Sequence, residues 1–157
     1  MSKMKQTLRM MRWWPPFLGA GIRVISVDDQ VRKVVVRMRL SWWNRNIVKV
    51  HFGGSLYAMT DPFYMLMLIH NLGKDYVIWD KAAEIRFLKP GKSTVFAEFF
   101  LTEERLSEIK MQVDELGKKD VSFIVLVKAD TGEVVAEVKK VIYIRRKDYQ
   151  PKRIQVK

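Results

Sequence analysis

The sequence predicts an α+β fold in which a curved antiparallel sheet of about six strands wraps around a long apolar central helix. Three observations predict it. Residues 55–72 are apolar on almost every side of a helical projection, and such a helix must be covered nearly all round. Six other segments read as strands, several joined by short turn sequences. The 157 residues, 48% hydrophobic and 29% charged, suit one domain, 1–157, and are too few for two independent cores.

The elements follow in order. Residues 3–12 predict a short basic helix stopped by Trp13-Trp14-Pro15-Pro16, so that residues 1–16 form a basic leader to the domain. Gly19 and Gly21 mark a turn, residues 21–28 a first strand and Asp28-Asp29 a second turn. Residues 33–41 alternate, with Val34, Val36, Met38 and Leu40 on one face and Lys33, Val35, Arg37, Arg39 and Ser41 on the other. Residues 42–54 read as a loop. The apolar helix ends at Asn71-Leu72-Gly73, where glycine suits a left-handed cap. Residues 76–88 and 94–101 are strands around the Pro90-Gly91 turn. Thr102 caps a helix with Leu106, Ile109, Val113 and Leu116 on one face and Gly117 as its stop. Residues 121–128 and 133–146 make a hairpin about Asp130-Thr131-Gly132, and residues 148–157 form a polar, basic tail.

Charge is concentrated at the ends. The 29 Lys and Arg exceed 17 Asp and Glu by 12. Residues 1–12 hold Lys3, Lys5, Arg9 and Arg12 with no acid, and residues 139–157 hold eight basic side chains against Asp148 alone. Such ends either attract polyanions (phosphates, nucleic acid, an anionic membrane, an acidic carrier protein) or serve as a solvated surface. The strand from Lys139 to Lys147 reads equally as a contact for a ligand's phosphates and as a charged, solvated edge.

The absence of cysteine excludes a disulfide framework, a thiolate metal site and a cysteine nucleophile, and fits a reducing, cytoplasmic setting. Two histidines, His51 and His70, are too few for a histidine-rich metal centre, and no metal is expected. Trp13-Trp14-Pro15-Pro16 interrupts what would be an export signal, and Asp61, Pro62, His70 and Asn71 argue against a lipid-spanning reading of residues 55–72.

Chemistry concentrates between Asn46 and Asp61. A helix beginning at Gly54 has unpaired amides in its first turn, and glycine lets a substrate oxygen approach them. Asp61, seven residues on, would share that face within about 20° and lie roughly 10 Å further along. Oxyanion donors at the entrance and a carboxylate deeper in suit ester or thioester hydrolysis. Asp61-Pro62 is also a conventional helix start, and under that reading Asp61 is a cap with no chemistry.

The run from Asn46 to Asp61, followed by Pro62-Phe63-Tyr64, resembles the hotdog-fold acyl-CoA thioesterase superfamily, in the branch similar to phenylacetyl-CoA thioesterases. It looks still more like a hotdog subfamily carrying His-Phe-Gly-Gly-Ser-Leu-Tyr, here His51 to Tyr57. The resemblance implies a hotdog fold over most of the chain. It makes Asp61 the general base or nucleophile, Gly54 with Gly53 the backbone oxyanion position, and Asn46 the group that orients thioester or water from a neighbouring protomer. His51, Phe52 and Ser55 would border the substrate. Phe52 occupies the usual histidine position, and Lys49 stands where glycine is common.

The resemblance further implies an acyl-coenzyme A or acyl-carrier-protein substrate, no cofactor beyond the coenzyme A of the substrate, and a homodimer or dimer of dimers. Two readings compete with hydrolysis. One is a non-catalytic module that binds acyl-coenzyme A, or docks on nucleic acid or membrane through its basic ends. The other is a hydratase or dehydratase, suggested by His51-Phe52. Such enzymes use a second acid deeper in the helix, and position 65 here is Met65.

Overall fold

The computed structural model describes residues 2–149. Among them, β1 (Ile22–Val27), β2 (Lys33–Met38), β3 (Tyr76–Phe87), β4 (Val95–Phe100), β5 (Lys118–Ala129) and β6 (Val134–Arg146) form one sheet ordered β1-β2-β4-β5-β6-β3. Every pairing is antiparallel. β1 and β3 are its edges. The basic strand β6 lies between β5 and β3, so its reading as a solvated edge is corrected. The part of the basic tail at 150–157 lies outside the described residues.

The inner face of the sheet is built by alternation. Val34, Val36 and Met38 of β2, Phe99 of β4 and Ile142 and Ile144 of β6 are fully buried, whereas Arg39 and Lys139 face outwards. Helix α4 (Phe63–Leu72) lies against this face: Phe63 meets Phe99 with ring centroids 4.8 Å apart, and Tyr64 stacks on Phe123 at 4.1 Å. Helix α5 (Glu103–Leu116) starts where Thr102 Oγ1 accepts from Arg105 N and ends at Gly117, φ +76°. It buries Ile109 and Val113, while Leu116 is exposed at its end.

Two prolines act differently from expectation. The double proline does not stop the amino-terminal helix. α1 (Lys3–Met10) ends in a 3-10 turn, and Pro15 then opens α2 (Pro15–Ala20), since a first helical residue needs no N–H. α2 places Phe17 against Phe63 of α4, 6.0 Å between centroids. The central helix is likewise split, into α3 (Gly53–Ala58) and α4. Pro62 has no amide for the Ala58 carbonyl, so Thr60 N and Asp61 N tighten onto Tyr57 O and Ala58 O, at 2.8 and 3.3 Å. Both expected helix starts therefore exist, one at the glycine pair and one at the proline. Asp61 sits in the break between them and makes no cap.

Candidate active site

The break turns Asp61 toward the sheet. Its Oδ1 accepts from Tyr57 Oη, one turn earlier on α3, at 2.8 Å and from Lys140 Nζ, on the inner face of β6, at 2.8 Å. Lys140 is completely buried. The Asp61 side chain is 47% exposed, and its Oδ2 has no partner among the described residues. The carboxylate is thus gripped on one oxygen and open on the other.

A second carboxylate faces the same cation. Asp80 follows Ile78 onto the inner face of β3, just before a bulge between Asp80 and Ala82, and its Oδ1 lies 2.9 Å from Lys140 Nζ in an ion pair outside hydrogen-bonding angles. Burial alone would lower the Lys140 pKa, but Asp61 and Asp80 outweigh it and raise it above the ordinary lysine value. Burial raises the Asp80 pKa, with Lys140 opposing incompletely. Burial, then the bond to Asp61, raises that of Tyr57. Two acids around one ammonium leave a surplus of one negative charge when all are ionised.

The other sequence candidates form a neighbouring group. Gly53 and Gly54 open α3 behind Phe52, whose side chain offers no cap, and their amides have no acceptor among the described residues. Ser55 N and Leu56 N both donate to Phe52 O. Aromatic rings close over the glycines: a Cβ on Gly53 would lie 2.9 Å from Phe87 Cζ, and one on Gly54 2.5 Å from Phe52 Cε1.

Asn46 Oδ1 accepts from Val48 N and Val50 N, both at 3.1 Å, which closes the loop and leaves Nδ2 without a partner among the described residues. Lys49, in that loop, has φ +63°, the left-handed conformation that glycine adopts freely. His51 is buried and structural in its contacts. Its Nε2 donates to Ser93 O at 2.8 Å, its amide to Gly91 O at 2.9 Å, and burial lowers its pKa. Its Nδ1 is buried with no hydrogen bond.

Asn46, His51 and Gly53 line a cavity of about 340 Å³ together with Phe87 and Leu56. Asn46, Phe52 and Ser55 line an adjoining open groove. Asp61 lines neither. The chain therefore groups the loop candidates at the glycine pair and Asp61 with Lys140, Asp80 and Tyr57. Sequence reasoning missed the last three. Tyr57 was visible as the residue four before Asp61 on one helix face. Lys140 was visible only as a lysine sharing the parity of Val138, Ile142 and Ile144. Among the described residues no group of three or more His, Cys, Asp or Glu side chains is placed to hold a metal ion, and no helix is long and apolar enough to cross a membrane.

This architecture has counterparts. Residues 3–144 match the family described as "Domain of unknown function (DUF4442)", and the chain belongs to that family. Its fold is the hotdog fold. A Pseudomonas aeruginosa protein titled "Probable Thioesterase" superposes with TM-score 0.77 at 22% identity, over 90% of this chain and 95% of its own. A Haemophilus influenzae thioesterase gives 0.64 at 10% identity, over 90% of each chain. The PaaI protein of the Escherichia coli phenylacetic acid degradation operon gives 0.59 at 18%, over 92% and 93%. No functionally curated protein matches the chain.

Proposed function

We propose that the protein is a thioesterase that hydrolyses acyl-coenzyme A or an acyl chain on a carrier protein. The observation that carries this reading is the Asp61 carboxylate, fixed through Oδ1 by Lys140 and Tyr57 with Oδ2 facing solvent. Fixing one oxygen orients the other as a base toward water or as a nucleophile toward the thioester carbonyl. As the tetrahedral intermediate forms, its oxyanion takes the amide of Gly54, with Gly53 beside it. The thiol leaves with a proton, and hydroxyl from water completes the acid. A probable thioesterase and a thioesterase among proteins of the same fold support the reaction class.

The same reading makes the enzyme a homodimer. β3 is an edge whose residues 81–84 are exposed, and Trp79, Phe87 and Leu88 are exposed beside them. A second copy pairing there would cover both the unpaired strand and this apolar surface. The free Nδ2 of Asn46 suits an orienting donor to a carbonyl, the role expected of it across such an interface.

A second reading, acyl binding without hydrolysis, is favoured by one contact: the Phe52 ring stands against Gly54. Hydrolysis of acyl-coenzyme A by the purified protein, and its loss in Asp61→Asn, separates the two.

A further inference from the structure

On the outer face of the sheet, Arg23 of β1 lies directly opposite Arg37 of β2, and Arg39 follows two residues on. Like charges in register cost stability unless something neutralises them. None of the three guanidinium groups has a carboxylate partner among the described residues. Glu98 of β4 pairs in register with Val35, and Phe96 stands opposite Arg37. With Trp42 and Trp43 the arginines line a pocket of about 380 Å³. The two indoles are 79% and 58% exposed and meet edge-on, centroids 5.9 Å apart.

The pocket wall is held in place from below. Asn44 is buried, and its side chain accepts from Ser41 N at 2.7 Å and donates to Arg39 O at 2.7 Å and Ala20 O at 2.9 Å. Gly21, φ +74°, passes beneath it, and a Cβ there would lie 3.0 Å from Asn44 Nδ2. These ties fix the turn that presents both tryptophans. Trp43 also lines the groove of Phe52 and Ser55, and Asn46 lines both that groove and the cavity at Gly53. A surface path thus runs from the arginines to the glycine pair.

We propose that this pocket binds a phosphorylated nucleoside, with its base on the Trp42–Trp43 pair and its phosphates on Arg23, Arg37 and Arg39. Planar guanidinium forks suit phosphate oxygens, and exposed indoles suit a base. The identity of the ligand rests on the thioesterase reading: it is the nucleotide end of coenzyme A, for which 3′,5′-ADP is the minimal probe.

Calorimetric titration of the full-length protein with 3′,5′-ADP, followed also by tryptophan fluorescence, tests the site. Saturable binding is expected, weakened about tenfold or more in Arg37→Gln and in Arg39→Gln and falling with added salt. Trp42→Ala weakens it, and Lys110→Gln on α5 does not. Each is a surface change, and unaltered melting confirms the fold. No saturable binding, equal binding by the arginine variants, or tighter binding of ATP or a single-stranded oligonucleotide than of 3′,5′-ADP overturns the proposal. Loss of the nucleotide site with hydrolysis intact refutes this inference alone. Nucleotide binding without any thioester hydrolysis refutes the thioesterase reading and leaves the pocket.

Discussion

Lys140 Nζ lies 2.8 Å from Asp61 Oδ1, and the ammonium in this pair is completely buried while the carboxylate is half open to solvent. The asymmetry divides the pair by task. The buried partner fixes charge and direction, and the open partner meets whatever enters. A buried ion pair contributes little net stability as a whole, because desolvation offsets attraction, but removing one member leaves its counter-charge unsatisfied.

Replacing Lys140 by Met keeps most of the unbranched side chain and removes the cation. Urea unfolding at neutral pH should show a loss of about 3 kcal/mol, since Asp80 and Asp61 then face each other uncompensated. The raised pKa of Lys140 gives a second signature. Its contribution is complete below the unfolded value of 10.5 and fades as pH rises through the higher folded one. The parent should therefore lose its advantage over Lys140→Met at strongly alkaline pH. Equal stability of the two proteins at neutral pH would deny Lys140 this role.

Asp80 is predicted to titrate in the opposite sense to an ordinary ion-paired carboxylate. Its folded pKa is raised by burial, so its contribution is complete below 3.8 and is lost as pH rises through the folded value. The stability of the parent relative to Asp80→Asn should fall from acid toward neutral pH. Parallel pH–stability curves for the two proteins would contradict this.

His51 should titrate below 6.5, because burial disfavours its cation more than the Ser93 carbonyl favours it. Ring-proton chemical shifts followed against pH measure this directly. Its contribution to stability is present above 6.5 and is lost as pH falls through the lowered folded value. A midpoint at or above 6.5 would show that the imidazole is not enclosed as described.

Lys49→Gly should stabilise the protein by up to about 1 kcal/mol. The left-handed conformation at φ +63° is strained for lysine and free for glycine, although glycine also gains entropy in the unfolded chain. Chemical denaturation of the two proteins provides the check, and destabilisation by the glycine would place the loop in a different conformation.

The elements legible in the sequence were those set by repeating pattern. Alternation in β2 separated Val34, Val36 and Met38 from Lys33 and Arg37, and the apolar run from Phe63 to Ile69 marked the helix that the sheet must cover. The termini of α5 were legible because Thr102 and Gly117 are chemically suited to them. The partner of Asp61 was obscured by its neighbours. Lys140 belongs to a run of basic residues that suggests surface, and its shared parity with Val138, Ile142 and Ile144 was the one sign of an inward position. Asp80 was harder still, since its parity with Ile78 shows an inward direction but not that a lysine of β6 meets it there. The split of the central helix was half legible: Pro62 signals a break, but the choice between capping by Asp61 and capture by Lys140 is made by a strand 79 residues away.

The most direct test is thioester hydrolysis by wild type and Asp61→Asn across short, medium, long and aromatic acyl-coenzyme A substrates. Turnover is expected on at least one class, reduced by a factor of about 10²–10⁴ in the variant while its melting transition persists. Turnover undiminished in Asp61→Asn, or none by folded wild type on any acyl-coenzyme A or acyl-carrier-protein substrate, would contradict the proposed function.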